Sequence, residues 1–257
     1  MTHEEKRVYL INWLLNESDE YRGVEIPDNE YSQKRLLRAL MNIRMPKDAD
    51  PEFLKIQDEY LQEDLQERGI ADINTLTPLE DGIYLWQGDI TRLNADAIVN
   101  AANDQMCGCF VPNHTCIDNC IHTFAGIQLR KKCGDIMRMQ GHPEPTGLAK
   151  ITPAYNLPCK YVLHTVGPIV QGRLTKQHEE LLASCYGSCL ELAVQYNLES
   201  VAFCCISTGV FMFPNERAAE IAVDTVRKFL RKDTSVKKVI FNVFKDYDKE
   251  IYGNLLG

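Results

Sequence analysis

The side chains of this chain that can do chemistry crowd into one short stretch. Between Asn100 and His122 the sequence reads Asn-Ala-Ala-Asn-Asp-Gln-Met-Cys-Gly-Cys-Phe-Val-Pro-Asn-His-Thr-Cys-Ile-Asp-Asn-Cys-Ile-His, with four cysteines and two histidines. Within it, Cys109-x4-His114-x-Cys116 sets two thiols and an imidazole close enough to share one metal ion, with Gly108 and Pro112 helping the chain turn back. Thiolate plus imidazole favours zinc, and three protein ligands leave a fourth position for water or substrate, the arrangement of catalytic rather than structural sites. The spacing matches no common zinc finger, so buried core thiols are the competing reading. Cys107 and Cys120 stand close enough to substitute or to supply a fourth ligand.

Around this core lie further candidates. Asn100 and Asn103 follow a β-type run, Ala97-Ile98-Val99, where an amide can bond a ribose hydroxyl or hold its own loop. Asp118 falls in the first turn of an expected helix, either as a cap favoured by the helix dipole or as a carboxylate that orients or deprotonates water. His122, one turn on, reads as a packed helix residue. Ser207-Thr208-Gly209-Val210-Phe211-Met212-Phe213-Pro214 ends an apolar run in small residues just before another helix. Backbone N–H groups in such a turn can cradle a pyrophosphate, while Phe211 covers a sugar or fills core. Asp89 closes an earlier strand and is a candidate acceptor for an adenine amino group, or a turn cap.

These groups need a frame. Ile83–Trp86, Ala97–Asn100, Gly147–Pro153, Tyr161–Val166, Val201–Ile206 and Lys238–Val243 read as strands. Helical patterns run from about Cys116 to Cys133, Thr175 to Gln195 and Asn215 to Arg231, with a short helix at the end. Such alternation predicts an α/β fold with a mixed, largely parallel sheet between helical layers. The loop after Val99 then sits at the carboxyl edge of the sheet, where ligands bind. Residues 1–77 read as an all-helical extension, with Asp50 as N-cap and Pro51 at N1 of its third helix. With no Pro/Gly/Ser-rich linker before residues 78–257, these helices are expected to dock, over the sheet, rather than swing free.

Composition narrows the function classes. Ten cysteines with no secretory signal point to a reducing compartment, so a cytoplasmic location is expected. No apolar run is long enough to span a bilayer. Of the net charge of −8, residues 1–77 carry ten Lys/Arg against seventeen Asp/Glu, and the remainder eighteen against nineteen. No basic stripe exists to neutralise phosphates, which argues against a general nucleic-acid binder. The His-x-Glu and Pro-Cys-x-x-Cys pair of zinc nucleobase deaminases is missing too.

Taken in order, Gln87-Gly-Asp-Ile-Thr91, Ala97-Ile-Val-Asn-Ala-Ala-Asn103, Cys116-Ile-Asp-Asn-Cys-Ile-His122, Gly147–Tyr155, Tyr161–Pro168 and Ser207–Pro214 resemble the macrodomain family, which binds ADP-ribose. The match covers about residues 82–250. Where the family's helix motif commonly reads G-V-D-G-A-I-H, Cys116 and Asn119 replace the glycines and Asp118 remains. That departure, with the Cys/His loop, resembles the bacterial zinc-dependent macrodomains with an N-terminal helical extension. The resemblance implies a three-layer α/β/α fold and a glycosidase-type hydrolase that removes mono-ADP-ribose from acidic side chains of modified proteins. It implies one zinc held by Cys109, His114 and Cys116, acting as a Lewis acid or lowering the pKa of bound water. It places Asp89 and Ile90 at the adenine end, Ser207, Thr208, Gly209, Val210 and Phe211 around the diphosphate, and Asn103 and Asp118 at the distal ribose, both catalytic, with Cys116 also among the substrate-binding residues. It further implies an ADP-ribosylated protein substrate such as a lipoyl-carrier protein, and a sirtuin-type ADP-ribosyltransferase as partner. The alternative is a non-catalytic ADP-ribose reader with structural zinc.

Overall fold

The computed structural model describes residues 1–21 and 23–257. Its centre is a six-stranded sheet in the order β1-β6-β5-β2-β4-β3, built from β1 (Ile83–Gln87), β2 (Ala97–Ala102), β3 (Ala149–Pro153), β4 (Tyr161–Val166), β5 (Ser200–Phe203) and β6 (Lys238–Val243). Every neighbouring pair is parallel except β3 with β4 at one edge. The helices are α1 (His3–Asn16), α2 (Glu30–Ile43), α3 (Pro51–Arg68), α4 (Ile117–Ala125), α5 (Ile127–Gln140), α6 (Lys176–Gln195), α7 (Asn215–Leu230) and α8 (Asp246–Leu256). This is the expected macrodomain-like mixed sheet between helices, preceded by a helical segment. No helix among the described residues is long and apolar enough to cross a membrane.

The central strands are apolar on both faces because helices cover both. β5 is buried at every position, and Ile98, Val99, Val162, Leu163, Val201, Ala202, Val239 and Ile240 are all sealed from solvent. Each aliphatic side chain of Val or Leu size buried this way contributes roughly 1.5–3 kcal/mol. β5 is shorter than its apolar run. It ends at Phe203, and Cys204 to Ile206 belong to the turn that carries Ser207.

Two expectations are corrected. The helix expected from Cys116 to Cys133 is two helices, divided at Gly126 with φ 95°. A Cβ there would lie 2.6 Å from Gln128 Oε1 and 2.7 Å from Gln57 Nε2, so only glycine fits. The N-terminal helices dock as expected, but against α4, α5 and nearby loops rather than over the sheet. Their own apolar cluster of Leu10, Ile11, Leu14, Leu37, Leu40, Phe53 and Leu61 takes in Ile127 from α5. Gln57 Oε1 accepts from the Ile127 N–H at 3.0 Å, and Gln62 Nε2 donates to the Asn156 carbonyl at 3.0 Å. The two layers already mesh at Ala71, which bridges to Leu93, and at Ile73, which lies in the main core.

Candidate functional site

Because β1, β2, β4, β5 and β6 run the same way, their carboxyl ends share one edge. Asp89, Asn103, Gly167, Ser207 and Phe244 all follow those ends and are thereby brought to the same rim.

At the centre of the rim is Asp118, in the first turn of α4 and 5% exposed. It is not the helix cap. That role falls to Cys116, whose thiol accepts from the Asn119 N–H at 3.5 Å. Asp118 Oδ1 accepts from Asn100 Nδ2 at 2.8 Å, and Oδ2 from Asn103 Nδ2 at 3.3 Å. Burial pushes its carboxyl up to about 6, against the opposing pull of the Asn100 bond and the Arg130 charge. Asn100 is wholly buried and acts as a spacer between acid and sheet. Its Nδ2 also lies 3.1 Å from His164 Nδ1, and His164 Nε2 lies 2.9 Å from Thr152 Oγ1. With Nδ1 taking the amide proton, His164 carries its own proton on Nε2 and passes it to Thr152. Burial holds His164 at about 3, so it stays neutral. His122 is buried as expected, 3.6 Å from Asp118 Oδ1, and is likewise held neutral by burial. His122, Cys133 and His164 cluster, but His164 is already committed to Asn100 and Thr152, so this group is the polar back wall of the acid.

The fold brings the three candidate metal ligands together. One ligand atom each from Cys109, His114 and Cys116 lies within 4.8 Å of the others, with Cys109 Sγ 3.7 Å from His114 Nδ1. Tetrahedral zinc with bonds of about 2.0–2.3 Å places its ligands roughly 3.3–3.8 Å apart, so this donor set fits the ion. Burial pushes the Cys116 thiol upward, and a divalent cation reverses that preference by binding the thiolate. Cys107 and Cys120 do not belong to the group. Gly108, with φ 80°, brings the loop so close to α4 that a Cβ would lie 2.8 Å from the His122 ring. The same loop therefore carries the ligands and touches the acid: Asn103 Nδ2 also donates to the Gly108 carbonyl at 3.2 Å.

On the other side of the rim, residues 207–213 form a tight turn. The Met212 N–H donates to the Gly209 carbonyl at 3.0 Å and the Phe213 N–H to the Ser207 carbonyl at 3.0 Å. Ser207 and Met212 take left-handed φ of 64° and 58°. The Ser207 hydroxyl is buried without a partner, and Val210 is 73% exposed. Thr208 Oγ1 is turned inward to the Cys205 carbonyl at 3.1 Å, and Phe211 is half-buried, its carbonyl accepting from the Val170 N–H at 2.9 Å. Asp89 caps the short 3₁₀ turn Ile90–Arg92: Oδ1 accepts from the Thr91 N–H and hydroxyl, while Oδ2 lies 3.4 Å from Arg68 Nη1. Ile90 is 1% exposed and belongs to the core.

Sequence reasoning missed Arg38, Asn42 and Arg130. Arg38 Nη2 donates to the His114 carbonyl at 2.8 Å and to Asn119 Oδ1 at 2.9 Å. Asn42 Oδ1 accepts from the Asn113 N–H at 3.0 Å. Arg130 donates to the Cys109 carbonyl at 3.2 Å and to the Met41, Asn42 and Arg44 carbonyls at the end of α2, with its guanidinium 4.2 Å from the centre of the Phe110 ring. The one available signal was the pair of non-glycine residues, Cys116 and Asn119, in the α4 motif.

Comparison with known proteins identifies the family. Residues 99–222 match the family model described as Macro domain. A Treponema medium protein named protein-ADP-ribose hydrolase is 57% identical over 260 residues, covering 100% of both chains. A Staphylococcus aureus (strain MSSA476) protein of the same name is 49% identical over 246 residues, 95% of this chain and 92% of that one. Among solved structures, a Trypanosoma brucei macrodomain in complex with ADP-ribose superposes with TM-score 0.67 at 30% identity, over 85% of this chain and 95% of that one. An Oceanobacillus iheyensis macrodomain with ADP gives 0.63 at 35% identity, over 71% and 94%. The chain belongs to the macrodomain family, and bacterial proteins named protein-ADP-ribose hydrolase are related to it over essentially their whole length.

Proposed function

We propose that this chain is a zinc-dependent protein-ADP-ribose hydrolase that removes mono-ADP-ribose from acidic side chains. The observation that carries the reading is one loop holding a three-ligand set, Cys109, His114 and Cys116, and joining Asn103 to Asp118. Hydrolysis adds one water across the bond between the distal ribose and the protein carboxylate, releasing ADP-ribose and a free Asp or Glu. A zinc ion held by the three ligands would supply a Lewis acid beside that ribose.

The chain's own residues divide the remaining work. Asn103 orients the ribose through the amide that otherwise holds Asp118. Asp118, lifted to about 6, is ionised at neutral pH yet basic enough to take a proton from water. Asn100 and His164 fix its carboxylate plane from behind. The 207–213 turn offers backbone N–H groups to the diphosphate, and Asp89 would receive the adenine end on Oδ2, an oxygen it shares with Arg68 Nη1. The partners implied by family resemblance, a lipoyl-carrier protein as substrate and a sirtuin-type transferase as the opposing enzyme, belong to the same proposal, as does a cytoplasmic setting.

The test is zinc content and hydrolysis of Glu-, Asp- and Ser-linked ADP-ribosyl proteins on one sample, before and after chelation. Joint loss of zinc and turnover on acidic linkages, with ADP-ribose still bound, is the expected result. Normal turnover by folded, metal-free protein transfers the chemistry to Asn103 and Asp118 alone. Binding without turnover on every linkage makes the protein a reader.

A further inference from the structure

The three candidate ligand residues are held by one buried residue, Asn119, and by the arginine bonded to it, Arg38, which comes from outside the macrodomain layer. Asn119 is fully buried, and its groups reach each ligand residue's immediate surroundings. Its Nδ2 donates to the carbonyl of Cys109 at 3.3 Å and of Val111 at 3.0 Å. Its N–H donates to the thiol of Cys116 at 3.5 Å. Its Oδ1 accepts from Arg38 Nη2 at 2.9 Å, and that same nitrogen donates to the carbonyl of His114 at 2.8 Å. The Asn119 carbonyl in turn accepts from the Thr123 hydroxyl at 2.7 Å, and Thr123 Oγ1 accepts from Asn42 Nδ2 at 2.9 Å. Glycine at position 119 offers none of the side-chain bonds.

We propose that Asn119 and Arg38 are positioning residues for the metal: α2 of the N-terminal layer, acting through Asn119, presets Cys109, His114 and Cys116 for zinc. This inference rests on the zinc reading above. Three loose loop residues must lose conformational freedom when they meet a cation, whereas a loop already pinned at 109, 111, 114 and 116 does not. Arg38 suits the task because one guanidinium nitrogen carries two N–H groups, one for each of the two acceptors. Its place in the chain also gives the helical layer a specific role, since the backbone of the metal loop is not satisfied without it.

The experiment is zinc affinity, zinc release to a chromophoric chelator, and the absorption spectrum of the cobalt-substituted protein, on full-length Arg38→Ala, Arg38→Lys, Asn119→Gly and the Arg38→Ala/Asn119→Gly double variant. ADP-ribose binding by Arg38→Ala and melting curves serve as controls. The expected result is a loss of zinc affinity of about 10–100-fold in each Ala or Gly variant, the range for outer-shell partners of metal ligands, with an altered cobalt spectrum. The double variant should lose little more than the worse single variant, because both act on one linkage. Arg38→Lys should recover part of the loss, and Arg38→Ala should bind ADP-ribose within about twofold of the parent. Wild-type zinc affinity and cobalt spectrum in folded Arg38→Ala overturn the proposal while leaving the zinc enzyme intact. If Arg38→Ala does not fold, Arg38→Lys decides on the same two readouts. If the parent protein itself takes up no zinc, the functional reading fails first and this proposal falls with it.

Discussion

The two ends of the candidate site are built by different means. The candidate metal loop, residues 103–116, adds to turns of its own backbone a set of side chains from elsewhere: Arg38 and Asn42 from α2, Asn119 from α4, Arg130 from α5. The 207–213 turn is held by its own backbone, through bonds of three and six residues' span, with Val210 and Met212 turned out to solvent. A loop that must fix three ligand atoms gains from many anchors, because a metal tolerates little error in ligand position. A turn that offers N–H groups to a flexible diphosphate needs only its local conformation. Damage to the first should therefore appear in chemistry and metal content, and damage to the second in ligand affinity.

The largest separation should come from Cys109→Ala. Loss of a Lewis acid worth several kcal/mol lowers turnover by on the order of 10³-fold, while calorimetry with ADP-ribose shows binding within a few-fold. Full turnover in a folded Cys109→Ala protein would sink the metal mechanism. Next is Asp118→Asn, expected to cost roughly 10²–10⁴-fold in kcat, the usual worth of a general base.

The pH profile tests the same residue. Activity should rise through a limb near the value of about 6 at which burial places Asp118. Asn100→Leu removes the bond that lowers that value, so the limb should move to higher pH; an unmoved limb assigns it to another group. Because its folded value exceeds that of an unfolded Asp, the stability Asp118 contributes is present below about pH 4 and lost as pH rises through about 6. Asp118→Asn should therefore not lower Tm at pH 7.

The opposite end gives smaller effects. Gly167→Ala sets a Cβ 2.0 Å from Ser207 Oγ and 2.9 Å from Ile206 Cγ2. Overpacking of this kind costs about 1–3 kcal/mol, and isothermal titration should show ADP-ribose affinity down about tenfold with zinc content unchanged. A parallel loss of zinc would mean the two ends are coupled. Smallest is Ser207→Gly, which relieves a left-handed backbone at φ 64°. It should raise thermal stability by about 1 kcal/mol and weaken ADP-ribose binding only if the Ser207 hydroxyl takes part.

Much of this was legible in the sequence, because the signals were local. The apolar run at 201–206 announced a strand covered on both faces, and Cys-x4-His-x-Cys marked three residues that the fold brings together. Asp118 was visible as an acid near a helix start, yet its true neighbours were not: Asn100 reaches it from β2, 18 residues away, and is itself backed by His164 from β4. Arg38 and Arg130 were invisible for a plainer reason. An arginine on an amphipathic helix normally extends its charge into water, and nothing within a turn of either residue shows that its acceptors are carbonyls 21 to 89 positions off. The break at Gly126 was missed because its cause, the amide of Gln57, lies in another layer.

The tethers between layers also have a direction in time. Arg38 reaches forward 76 residues to His114, Asn42 reaches 71 to Asn113, and Arg68 reaches 21 to Asp89. During synthesis each anchor leaves the ribosome before the segment it will hold, and the apolar residues of α1, α2 and α3 can gather first. The metal loop then emerges beside a scaffold already present, so its long closure draws on helix docking rather than on the ion. If the proposed zinc binds, it would be a late arrival, captured by a loop whose shape the chain has already made.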